Sequence, residues 1–153
     1  MANPNAVGTF NLDSFSNGRL GIIRATTLNT TGNGVTTSIE VPLLSGGLTN
    51  GGAVANSGGV IIRRITVQNP SGSIASANVS ISATSDGANL ITANTVLSSV
   101  NAVGQYQDIT VAAPYNNKVV SGSVTQALYV NINTASGNAN TTDIVVWGDV
   151  VSF

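Results

Sequence analysis

Apolar residues in this chain do not recur at helical spacing over any useful length. They alternate with polar residues or run in strand-sized blocks, and Gly, Asn, Ser and Pro interrupt them about every ten residues. Successive side chains on a strand point to opposite faces, so this pattern restricts the chain to an all-β fold. Nine strands are expected, over residues 19–28, 36–44, 60–68, 79–84, 90–97, 107–112, 119–124, 127–133 and 143–151. The alternation is strict in the fourth, where Val79, Ile81 and Ala83 oppose Ser80, Ser82 and Thr84. In the second, Ile39, Val41 and Leu43 share one face and Glu40 takes the other.

The connections carry turn chemistry. Thr31-Gly32-Asn33-Gly34, Pro70-Ser71-Gly72, Ser85-Asp86-Gly87 and Ser136-Gly137-Asn138 all supply residues that tolerate positive φ. Asp86-Gly87 and Gly137 are read as hairpin turns. Residues 45–59 hold Gly46, Gly47, Gly51, Gly52, Gly58 and Gly59 with little to bury, and are read as a long loop. Residues 1–18 carry only Phe10, Leu12 and Phe15 as large apolar anchors and read as an extended arm, so residues 19–153 form one sandwich domain. About eight or nine strands without helices favour an antiparallel β-sandwich, with a jelly roll first and an immunoglobulin-like sandwich second. No local feature separates those two.

Charge is scarce. Five basic and six acidic residues give a formal net charge of -1, and charged residues make up 7% of the chain, against about 25% in an average soluble domain. A nucleic-acid partner is not expected, because phosphate neutralisation calls for a basic excess. The 42% hydrophobic content is too high for a disordered chain of low net charge. A surface this poor in charge is weakly defended against association, which fits one covered by partners first and a tolerated neutral, hydroxyl-rich exterior second. No apolar run reaches the roughly 18 residues of a membrane helix, and the N-terminus lacks the basic and apolar regions of a secretory signal. Membrane partners are therefore not expected either.

The chain has no cysteine and no histidine. That removes disulfides and thiolate or imidazole metal sites. With one lysine and scattered acids (Asp13, Glu40, Asp86, Asp108, Asp143, Asp149), no convergent acid–base set is expected. No catalytic, cofactor-binding or metal-binding residue is assigned, and the chain is read as a non-enzyme. Calcium is considered only at Asp143 with Asn140, since no Asp-x-Asp-x-Asp-Gly spacing occurs. Trp147, the single indole, shares a face with Val145 and is read as core or interface packing ahead of ligand stacking. In the run from Val60 to Val67, parity puts Arg63 on the side of Ile61, Ile65 and Val67. A core-facing arginine needs a carboxylate, either at the open end of the sandwich or on a neighbouring subunit.

Four stretches resemble the small proteins that decorate or cement the heads of tailed bacteriophages. They are Ala77-Asn78-Val79-Ser80-Ile81-Ser82, Tyr106-Gln107-Asp108-Ile109-Thr110-Val111, Ala127-Leu128-Tyr129-Val130-Asn131-Ile132-Asn133-Thr134 and Asn140-Thr141-Thr142-Asp143-Ile144-Val145-Val146-Trp147-Gly148-Asp149. The resemblance lies in the C-terminal half. It implies a jelly-roll virion protein, made in the host cytoplasm and assembled as a trimer on the capsid surface. There it would bind the outer face of the major capsid protein lattice and stabilise the head. On this reading Phe10, Leu12, Phe15, Arg63 and Trp147 are the interface candidates. A tail or fibre component, or a module binding glycans or a host surface, is the alternative.

Overall fold

The structure is a computed structural model, and it describes residues 18–30, 39–42, 58–116, 118–121 and 127–152. Nine strands lie among them: β1 (Gly18–Thr27), β2 (Ile39–Pro42), β3 (Gly58–Gln68), β4 (Asn78–Ser82), β5 (Thr95–Val96), β6 (Gln107–Ile109), β7 (Val119–Ser121), β8 (Ala127–Thr134) and β9 (Thr141–Ser152). No helix occurs among the described residues.

The strands form two antiparallel sheets. One runs β1-β9-β3-β6, with β7 also paired to β3; the other runs β2-β8-β4-β5. β6 pairs with Ile65 to Val67 and β7 with Gly59 to Ile61, so the two lie end to end along one edge of β3. The sheets pack face to face as a sandwich. Leu20, Val60, Ile62, Ile65, Val67, Ile109, Ile144 and Val146 of the first meet Val79, Ile81, Leu128, Val130 and Ile132 of the second in one apolar cluster. β1 touches β2 on one flank. On the other flank, bonds from Gln107 to Val96 and from Ala112 to Ile91 tie the first sheet to the second.

The alternation of the fourth strand is borne out, with Val79, Ile81 and Ala83 buried in the core. Asp86-Gly87 also forms its expected turn. Gly87 adopts φ +77°, its N–H donates to the Thr84 carbonyl, and Ser82 bridges to Leu90 beyond the turn.

Three expectations need correction. Gly137 takes φ +76° but closes no hairpin, because β8 and β9 belong to different sheets. Their apolar faces look at each other across the core, so the turn passes the chain between layers. Gly58 and Gly59 were expected in the Gly-rich loop; they open β3 instead, paired with Ser152 and Val151. Residues 90–97 were expected as one strand. Only Thr95–Val96 is regular, and before it Leu90 and Thr92 make single bridges to Ser82 and Val111. Ser80 and Ser82, on the opposite face of β4, are buried as well. Asn133 and Asn131 donate to their hydroxyls, and Ser82 donates to the Thr84 carbonyl, so the polar groups are satisfied where they lie. The arm at 1–17 and loop residues 45–57 fall outside the described residues, as do Phe10, Leu12 and Phe15.

Candidate interaction face

The outward side of the β1-β9-β3-β6 sheet is set by the register of its central strand. Ile144 and Val146 of β9 point into the core, so Asp143, Val145, Trp147 and Asp149 point away from it. Val145 is flanked by Ile22 of β1 and Thr66 of β3, and Thr66 by Asp108 of β6. In the next row Arg64 pairs with Trp147, and beyond it Asp149 stands opposite Ile61.

A β-bulge separates these last two rows. Ile62 pairs with Gly148 and Arg64 with Trp147, which leaves Arg63 as the extra residue. Parity counting put Arg63 toward the core, and that expectation is corrected. The core residues of β3 are Val60 and Ile62 before the bulge and Ile65 and Val67 after it. The extra residue resets the alternation, so two adjacent arginines serve one face. Arg63 Nε donates to Asp149 Oδ2 at 2.8 Å. Arg64 lies over the Trp147 ring, 5.3 Å from its centroid, and its Nε is 3.9 Å from Asp108 Oδ1.

Gly148 makes the bulge possible. A Cβ there would run into the Ile61 carbonyl and the Leu20 side chain. β1 also slips register beside this point, between Arg19 and Gly21, so both neighbours of β9 are irregular around Trp147-Gly148. The result is a half-buried indole whose Nε1 is enclosed and has no hydrogen-bond partner.

Asp143 anchors the far end of the face. Its Oδ1 accepts from the Ala25 N–H and its Oδ2 from Asn69 Nδ2, both at 2.9 Å, with Arg24 at 3.8 Å. Ala25 and Asn69 take positive φ, 48° and 52°, rare for alanine and commoner for asparagine. Asn140, considered as a calcium ligand with Asp143, donates instead to the Ser73 carbonyl. Among the described residues no group of three or more acidic side chains could hold a metal ion.

Asp86, Asp108, Asp143 and Asp149 each have a specific donor. Asp108 accepts from the Thr66 hydroxyl at 2.7 Å. Asp86, away from the face, accepts from the Thr84 hydroxyl and the Ala88 N–H, and these bonds hold its pKa below the ordinary carboxylate value. The face presents one aromatic under a guanidinium, framed by Asp108, Asp149 and Arg63. Sequence reading singled out Arg63 and Trp147, and the structure places both here. It did not place Arg64, Asp108, Asp149 or Gly148 there, and considered Asp143 only as a calcium ligand. The available signal was the Arg63-Arg64 pair inside an apolar strand, which a regular strand accommodates poorly.

Comparison of the chain with protein-family models, with curated proteins and with solved structures returned no match.

Proposed function

We propose that this chain is a virion structural protein, a capsid decoration or cement protein. On this reading it binds the outer face of the major capsid protein lattice and stabilises the head. The observation that carries the proposal is the Trp147 face. Tryptophan and arginine dominate the energetic centres of protein interfaces, and here they are stacked, half-buried and framed by Asp108, Asp149 and Arg63. The same arrangement disfavours a sugar-stacking role, because Arg64 already occupies one side of the ring.

We read the fold as a jelly roll. The sheet orders 1-9-3-6 and 2-8-4-5 support this, with β6 and β7 serving as two halves of one edge strand. That makes eight strand positions in two interleaved four-strand layers. The resemblance over the C-terminal half supports the virion assignment, a trimeric state and a place on the capsid surface.

The test uses capsids of the encoding virus freed of this protein. Adding it back should give saturable co-sedimentation and a higher capsid melting temperature. Trp147→Ala should weaken binding by about 30-fold, the loss expected of a central interface aromatic. Absence of binding, or binding that leaves capsid melting unchanged, counts against the proposal. Full affinity in Trp147→Ala would move the contact to another surface.

A further inference from the structure

The four exposed large apolar side chains among the described residues are Leu90, Val96, Val103 and Tyr106, between 45% and 71% exposed. All fall within residues 90–106, and that stretch contains no Asp, Glu, Lys or Arg. It forms one flank of the sandwich. Leu90 bridges to Ser82, Val96 pairs with Asn78 at the edge of one sheet, and the chain then crosses to β6 at the edge of the other.

The crossing loop is tied down by side chains. Gln107 accepts from the Ser99 N–H and donates to the Val96 carbonyl, while Gln105 accepts from the N–H groups of Asn101 and Ala102. Backbone bonds from Ile74 to Val100 and from Val100 to Leu97 fix its base. A loop held this firmly presents Val103 and Tyr106 to solvent in fixed positions, so little ordering entropy remains to oppose their burial against a partner.

We infer that this flank is where copies of the chain meet. The inference rests on the decoration-protein reading and assigns its self-contact to a surface. Three features point to a second copy. The stretch carries no charge and exposes four large apolar side chains among polar residues such as Asn94, Ser98 and Asn101, so it offers no ion pair to a partner, and a net charge of -1 per chain leaves copies little mutual repulsion. β5 and β6 are two and three residues long, too short for strand addition, so the contact is made by side chains. The flank also runs between the two sheet edges and not across the Trp147 strand, so self-contact through it would leave the Trp147 face uncovered.

Light scattering after size exclusion, together with native mass spectrometry on the purified chain, tests this without a capsid. Wild type should run as an oligomer. Val103→Asp and Tyr106→Asp should weaken self-association by about 30-fold or more while circular dichroism stays that of wild type. Val103→Ser, a milder change at the same exposed site, should shift the equilibrium in the same direction. Arg64→Ala, on the other surface, should leave the oligomer intact. A monomeric wild type, or Asp variants that keep the oligomer mass, would overturn the inference. Capsid binding by wild type, measured separately, shows whether the decoration reading stands or falls with it.

Discussion

The two outer faces of the sandwich solve the same problem with different chemistry. The β1-β9-β3-β6 sheet carries Arg19, Arg24, Arg63, Arg64, Asp108, Asp143 and Asp149, seven of the eleven charged residues of the chain. Strands β4, β5 and β8 of the other sheet carry none. There Ser80, Ser82, Asn131, Asn133 and Asn94 join hydroxyl to amide in a neutral ladder. Ion pairs and a stacked indole give the first face a directional field, whereas the second bonds its polar groups through neutral hydroxyls and amides, with the buried Asn131 Oδ1 left unpaired. Scarcity of charge across the chain thus conceals a strong asymmetry.

The sharpest way to break this comparison is at Gly148. Gly148→Ala forces a methyl group against the Ile61 carbonyl at the bulge that puts both arginines on one face. We expect a loss of more than about 3 kcal/mol, or no soluble protein, read by chemical denaturation. Gly87→Ala, over the neutral ladder, is the control. Its φ of +77° is unfavourable, but the added Cβ meets Asn131 at an ordinary 3.5 Å, so about 1 kcal/mol is expected.

Asp143 comes next. Asp143→Ala strands the Ala25 N–H and the Asn69 amide and should cost about 1–3 kcal/mol. Asn133→Ala on the other sheet removes bonds to Ser80 and Asn94 that are only partly buried or exposed, and should cost less than about 1 kcal/mol. Equal losses would erase the distinction between the faces.

The legible part of this fold was the part that obeys period two. Val79, Ile81 and Ala83 declared their face because the register shift of β4 lies before Val79 and nothing interrupts the strand after it, and Asp86-Gly87 declared its turn because only a few residue types tolerate that backbone. The Trp147 face was only half legible, since an inserted residue shifts every later side chain and a count along β3 cannot see Arg63 step out of register. Asp108 and Asp143 were invisible for a related reason. Their donors lie 42 and 74 residues away in sequence, joined only by strand pairing. Which sheet β8 and β9 would join was equally hidden, because a Gly-containing turn looks alike whether it folds a strand onto its neighbour or across the core.

Smaller effects sharpen the contrast. Arg64→Ala should cost about 0.5–1 kcal/mol at this half-exposed site and shift the emission of Trp147, the only indole. Raising ionic strength should reduce that difference, while Asn133→Ala should be insensitive to salt. The smallest effect belongs to the turn beyond β4. Asp86 has a lowered pKa, so its contribution is present at neutral pH and fades as pH falls through that lowered value. Thr84→Val removes the largest cause and should raise the Asp86 carboxyl pKa, measured by NMR titration.

β9 sits between β1 and β3, yet the ribosome makes it after both. The first sheet therefore cannot close while its outer strands emerge, and β1 and β3 wait with open hydrogen-bonding edges until the strand bearing Trp147 arrives. Long-range closure of this kind is slow. The charged face is likewise incomplete until β9 docks, because Trp147, Asp143 and Asp149 all lie on that strand.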